Sequence, residues 1–445
     1  MVTIGRALRA VKDELAQILS PQDIFNTCRE AGHRWRRSPL SPAVLIELFV
    51  MQVLCGNTAC AHLRHLSGKV FTASAYCQGR KRLPLRFFAL LAFKVSSYLT
   101  RSLEGQQLWH GHRVWRVDGS SASMPDTPEL QAYFGQPGGQ RRGCGFPVAS
   151  TLVLVHGSTG YIRDLLVRPL RTHEMSGIVR LHENLRPGDV VVADRGFASY
   201  VHICLICQGR MHGVFRAHQR TNVSFRPGRP SRDQLPKCRR PGAPTSRYIR
   251  KLGANDQLVE YRKPRQRPTW MSQAQFDALP DSIIVRELRY HIRKRGYRPK
   301  VITIVTTLLD PQQYPAKALA ALYGDRWAIE VDFRHIKSTL RMAVLHCKTV
   351  DGVMKELWIY TIAYNCIRRV MLEAAARQKV PPDRISFIDA QRWLVCVNVG
   401  QALAILIVNP DRPGRVEPRV LKRRPKEYPR MTRPRQELRQ ELLGQ

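Results

Sequence analysis

The spacing of apolar residues changes character near residue 113, and this change limits the folds open to the chain more than any other feature. Before it, residues 44–53 and 87–99 carry apolar side chains at helical spacing. After it, Val114-Trp115-Arg116-Val117-Asp118 alternates as a strand does. Residues 146–156 and 161–170 read as two further strands, with Ser158-Thr159-Gly160 as the turn between them. Residues 174–185 read as a helix, Pro187-Gly188 as a break, and 189–194 as a strand of the fully buried type. A helix over 198–207 and a strand over 211–217 follow, and another helix is predicted over 315–340. Three strands, then helix, strand, helix, strand is a mixed α/β plan. The expected layout has five parts: an all-helical N-terminal domain (1–110), a first core segment (111–217), a β-rich basic insertion (218–300), a second core segment (301–409) and a basic tail (410–445).

Charge narrows the function. Seventy-two Lys and Arg against 34 Asp and Glu give a formal net charge of +38. Such an excess repels itself unless it meets a polyanion. No apolar run reaches the roughly 18 residues of a membrane span, and the N-terminus lacks a signal-peptide pattern. Nucleic acid is therefore the default partner, and no membrane is expected. Residues 1–113 hold 16 basic and 6 acidic side chains, with Arg80, Lys81 and Arg82 as the densest patch. That patch is expected to touch DNA; its plainer reading is the solvated face of a helical bundle. Residues 216–300 hold 22 Lys and Arg against 6 acids, with strand-like pieces at 248–252, 258–262 and 282–291. The tail from residue 410 has 11 basic residues against 5 acids and repeated Pro, which suits phosphate contact or simple solubility. Eleven scattered Cys, an odd number, fit a reducing cytosol.

The chemistry-bearing residues sit in the last predicted helix and at two strand ends. Tyr323, Arg326, Glu330 and Lys337 are spaced by three, four and seven. On one regular helix they fall within an arc of about 60°. Leu322, Ile329, Phe333, Ile336 and Leu340 form the apolar stripe beside them. Alone, the polar stripe also reads as a solvated face with an i,i+4 Arg–Glu pair. Asp118 and Asp194 each end a strand-like run, the place where open α/β sheets bind ligands. Three carboxylates from three distant segments could hold two Mg²⁺ ions, about 4 Å apart, for phosphodiester displacement. Asp126 competes as an acid, but Pro125-Asp126-Thr127-Pro128-Glu129 reads as a turn and helix cap.

The Tyr, Arg, Glu, Lys spacing, with two, three and six residues between, resembles the signature of bacterial insertion-sequence transposases of family four. Val117-Asp118-Gly119-Ser120 with Met124-Pro125-Asp126-Thr127-Pro128 resembles the block around that family's first catalytic Asp. Asp194-Arg195-Gly196-Phe197 resembles the second block, and Thr306-Thr307-Leu308-Leu309-Asp310 and Tyr364-Asn365 resemble flanking segments. The similarity runs from about residue 30 to about 435. It implies a ribonuclease H-like catalytic domain with a β-rich insertion before the Glu helix. It implies a DDE triad of Asp118, Asp194 and Glu330 that uses Mg²⁺, with Mn²⁺ as a substitute, for cut-and-paste transposition. Tyr323, Arg326 and Lys337 would grip DNA phosphates near the cleaved terminus. Hairpin-forming relatives stack a flipped base on a Trp in the strand before the Glu helix. Residues 301–307 contain none; Trp270, the insertion's sole Trp, is the candidate, or else packs beside Pro268. The partners implied are double-stranded DNA, as terminal inverted repeats and as target, and a second copy of the chain at synapsis. The place implied is the bacterial cytoplasm, on the nucleoid. Two rival readings are a ribonuclease H-like nuclease without strand transfer and a DNA-binding relative without catalysis. A basic RNA-binding module is a third, but no aromatic recognition motif supports it.

Overall fold

A computed structural model describes residues 19–101, 108–170, 172, 174–292, 300–397, 401–410 and 428–444. The first 18 residues and 411–427 of the expected tail lie outside the described residues. Ser20 and Ser41 open the first two helices alike. Each side chain accepts a hydrogen bond from the backbone N–H three residues on, and Pro follows at the first helical position, where its missing N–H costs nothing. These are α1 (Pro21–Glu30) and α2 (Pro42–Leu54); α3 (Leu63–Ser67), α4 (Ala73–Arg82) and α5 (Leu85–Arg101) follow. Eleven of the thirteen residues of α2 are buried, which makes it an interior helix rather than an amphipathic one.

The strands fall near the expected positions, except that β1 runs on to Ser123, so Asp118 sits midway along it rather than at its end. They are β1 (Val114–Ser123), β2 (Val148–His156), β3 (Ile162–Pro169), β4 (Val190–Ala193) and β5 (His212–Arg216), then β6 (Arg247–Gly253), β7 (Asp256–Arg262), β8 (Ser282–Ile292) and β9 (Lys300–Thr306). Between them lie α6 (Pro128–Phe134), α7 (Glu174–Leu181), α8 (Tyr200–Gln208) and α9 (Gln273–Asp277). After β9 come α10 (Ala316–Gly324), α11 (Trp327–Arg334), α12 (Val350–Gln378), α13 (Phe387–Cys396) and α14 (Arg435–Leu443).

The nine strands among the described residues form one sheet, in the order β3-β2-β1-β4-β5-β9-β8-β7-β6. β1, β4 and β5 are mutually parallel, and every other neighbouring pair is antiparallel. The stretch 218–300, expected as an insertion, contributes β6, β7 and β8, and these extend the same sheet. The joint is β9, which pairs with β5 on one side and β8 on the other. Trp115 and Val117 face α7 and α8 through Met175, Ile178, Ile203 and Ile206. Ala122, Ala149 and Val153 face α11 and α12. With helices on both faces, β2 is buried along its whole length.

Residues 19–101 hold helices and turns, and they do not close a core of their own. Phe49 of α2, Phe87 of α5, Leu357 of α12 and Phe387 of α13 belong to one continuous cluster. Among the described residues no single helix is long and apolar enough to cross a membrane. α4 and α5 approach that length only as a pair bent by 82°.

Candidate active site

Strand register brings the first two acids together. Val117 of β1 pairs in parallel register with Ala193 of β4, and Ala193 with Phe215 of β5. One residue further along these three strands stand Asp118, Asp194 and Arg216. Neighbouring strands are about 4.8 Å apart, so two carboxylates and a guanidinium lie side by side, Asp194 and Arg216 at the C-terminal ends of β4 and β5 and Asp118 midway along the longer β1. Arg216 is the member that sequence reasoning missed. Its signal was its place at the end of the third parallel strand, the same place that marked Asp194.

The third acid arrives on a helix that is not regular. The sequence predicts one helix over 315–340; the structure has two helices and a widened turn. α10 ends at Gly324. The N–H groups of Arg326, Ala328 and Ile329 then bond the carbonyls three residues back, at 3.0–3.1 Å, so the chain tightens there. After α11 it loosens into a π turn, His335–Thr339, in which the Leu340 N–H reaches the His335 carbonyl at 3.0 Å. Ile329, Phe333, Ile336 and Leu340 still anchor the segment in the core, as their spacing predicts.

Despite the breaks, this segment meets the strand acids through two side chains. The Tyr323 hydroxyl donates to Asp194 Oδ1 at 3.1 Å. Arg326 donates through Nη1 to Asp118 Oδ2 at 3.2 Å and through Nη2 to Glu330 Oε1 at 2.7 Å. One guanidinium, its side chain only 11% exposed, thus bridges the strand acid and the helix acid. A solvated i,i+4 pair would not be buried in this way.

The two strand acids titrate in opposite directions. Burial pushes the Asp118 carboxyl up to about 6, and the nearby charges of Glu330 and Asp194 add to the rise; the Gly119 N–H and Arg326 restrain it. Burial also pushes Asp194 upward, but the Arg195 N–H, the Arg326 charge and the Tyr323 hydroxyl outweigh it, and the net shift is downward. Burial and the neighbouring Asp194 raise the Tyr323 phenol, which keeps it a neutral donor.

The other expected residues are scattered. Lys337 lies on the π turn, partly buried. Trp270 is partly buried against a satellite core that contains Tyr200, Val201 and Phe276. Of the basic triplet, Lys81 and Arg82 are exposed. Arg80 is turned inward, with its guanidinium 3.8 Å over the Phe49 ring and bonded to Gln52 Oε1 at 2.9 Å. Asp126 precedes the cap of α6, Thr127, and pairs with Arg435 at 2.8 Å. One exposed aromatic was not expected: Trp327 opens α11 beside Arg326 with 61% of its surface in solvent.

Among the described residues no three His, Cys, Asp or Glu side chains are grouped so as to hold one ion. Mg²⁺ does not require such a cage, because it keeps several waters and binds one or two carboxylates together with substrate phosphate. Asp118 and Glu330 already share one cation, the Arg326 guanidinium, so this all-oxygen donor set accepts positive charge at that point.

A family model described as a transposase DDE domain matches residues 109–366. The chain belongs to that family. In this transposase the matched span runs from just before β1 into α12 and includes Asp118, Asp194 and Glu330. The transposase InsG for insertion sequence element IS4 of Escherichia coli K12 is 24% identical over 376 residues, covering 80% of this chain and 78% of that relative. A probable transposase for insertion sequence element IS5377 of Geobacillus stearothermophilus is 32% identical over 87 residues, 20% of this chain and 22% of that one. Among solved structures, a piggyBac transposase synaptic complex with hairpin DNA aligns with a TM-score of 0.45 and 10% identity, over 87% of this chain and 79% of that one. At that score neither fold nor function follows from the likeness.

Proposed function

We propose that this transposase binds the terminal repeats of its own insertion sequence and cuts and rejoins DNA at a triad of Asp118, Asp194 and Glu330. The observation that carries the reading is the Arg326 bridge between Asp118 and Glu330, with Asp194 on the adjacent strand and bonded to Tyr323. The half-sheet β3-β2-β1-β4-β5, in which β2 alone runs against both its neighbours, supports a ribonuclease H-like core.

Mg²⁺, held by Asp118, Asp194 and Glu330 together with phosphate oxygens, would activate the attacking oxygen and take up charge on the leaving one. The protein's own groups do the rest. Tyr323 holds Asp194 in one orientation. Arg326 keeps the partly buried Asp118 and the more exposed Glu330 compensated. The exposed ring of Trp327 offers a face on which an unpaired base can stack. In the first step water attacks the scissile phosphodiester and the bond to the 3′ oxygen breaks, which frees a 3′ hydroxyl. In the second, that hydroxyl attacks a target phosphodiester and displaces its 3′ oxygen. Phosphate contacts from the many Lys and Arg position the duplex, and pairing of two ends implies a dimer on DNA.

The test is incubation of the protein with duplexes carrying the element's own ends, with Mg²⁺ and a target plasmid, and mapping of products to the nucleotide. Nicks at the end boundary followed by joined products are expected. Cleavage without joining would reduce the reading to a nuclease, and binding without cleavage would refute the triad.

A further inference from the structure

The C-terminal segment 428–444 returns to the sheet beyond the undescribed 411–427 and is docked there, although its composition reads as a solvated tail. The Tyr428 hydroxyl is 2.7 Å from Ser121 Oγ on β1, and the Tyr428 carbonyl accepts from Gln140 Nε2 at 3.1 Å. The Met431 N–H bonds the Cys144 carbonyl at 2.8 Å, and Arg430 forms a β-bridge with Gly145. Arg435 is the anchor. It pairs with Asp126 at 2.8 Å, donates to the Gly143 and Gly145 carbonyls at 3.3 and 3.2 Å, and lies 4.3 Å over the Phe146 ring. Gly143, at φ +80°, lets Pro434 come close; a Cβ there would lie 3.3 Å from Pro434 Cβ. Ser121 follows Asp118 by three residues, which is about 10 Å along a strand.

Docking leaves a surplus of positive charge on this rim. Arg435 is matched by Asp126, Arg433 by Glu441 and Arg141 by Glu437. Arg142, Arg430 and Arg439 are exposed, and no acid among the described residues pairs with them. We propose that the docked segment 428–444 and the adjoining loop 140–146 form a contact surface for the DNA phosphate backbone, fixed to the strand that carries Asp118. The inference rests on the transposase reading and assigns the segment a partner and a place. A second copy of this chain is the weaker candidate partner, because it would bring the same three unmatched cations to the interface.

The test uses the full chain, a short duplex of arbitrary sequence and a salt series. Arg142→Ala, Arg430→Ala and Arg439→Ala combined should make the slope of log affinity against log salt shallower by up to about 2.7, at about 0.9 for each lost phosphate contact. A slope equal to wild type overturns the proposal, and a change in oligomeric state without a change in slope would assign the face to a second copy. Arg435→Ala should expose 428–444 to protease and make the slope shallower by up to about 1.8, because Arg430 and Arg439 leave the rim while Arg142 stays on its loop. Retained protection would overturn the anchoring, and a released segment with an unchanged slope would overturn the DNA contact. If the wild-type protein fails to bind duplex at all, the reading of the previous section fails and takes this one with it.

Discussion

Asp118 and Asp194 are held in one way and Glu330 in another. Asp118 lies midway along β1 and Asp194 directly after β4, each one residue beyond the parallel pair Val117–Ala193, so backbone pairing sets their separation before any side chain is considered. Glu330 sits on α11, an eight-residue helix between the tightened stretch before it and the π turn after it, so its own ladder is short and does not tie it to the sheet. What holds it is tertiary: Ile329 and Phe333 in the core, and Arg326 reaching across to Asp118. A site built half on strand pairing and half on packing should respond unequally to damage in its two halves.

The comparison can be broken most directly at the acids. Asp118→Ala, Asp194→Ala and Glu330→Ala should each lower cleavage by at least about 10³-fold, equivalent to roughly 4 kcal/mol, with end binding retained. Near-normal cleavage by any one of them, measured on end-bearing duplexes, removes that residue from the triad. Arg326→Ala should cost about 10²-fold, because the helix half then lacks its tie to the strand half. Arg326→Lys should not restore the rate, since one ammonium cannot reproduce a fork that reaches two carboxylates. Full rescue by Lys would mean that charge alone matters. Tyr323→Phe removes one hydrogen bond to a charged group and should cost about 10-fold. The mildest contrast sharpens the comparison best. Val192→Ala within β4 should lower stability by about 2 kcal/mol and leave the rate per folded molecule unchanged. Ile329→Ala should cost about 2–5 kcal/mol in stability and lower that rate as well. Equal rates for the two, with thermal melts as control, would show that Glu330 is no more dependent on packing than the strand acids are.

The strand half was the legible half. Period-two alternation marked β1, and the buried-type run marked β4, because each pattern is written in consecutive residues. The strand-end rule then pointed to Asp118 and Asp194. The break at Arg326 and the π turn were not legible, because the residues from 315 to 340 keep helical spacing and the side-chain bonds to Asp118 and Asp194 come from strands far away in sequence. The inward turn of Arg80 escaped notice for the same reason: its partners, Gln52 and Phe49, lie a helix away. The pairing of β5 with β9 is also invisible locally, since about 90 residues separate the two strands.

That long-range pairing has a consequence for how the protein is made. At about 5–20 residues per second, β5 leaves the ribosome roughly 5–20 s before β9 can cover its edge. α2, which is apolar nearly all round, waits longer still, because the α12 residues that bury it lie some 300 positions downstream. A nascent chain of this kind carries an open strand edge and a bare apolar helix for most of its synthesis, which invites chaperones and aggregation alike. A chain that stops before α12 therefore keeps that helix bare, and the half of the sheet that carries Asp118 and Asp194 is completed only on chains translated nearly to the end.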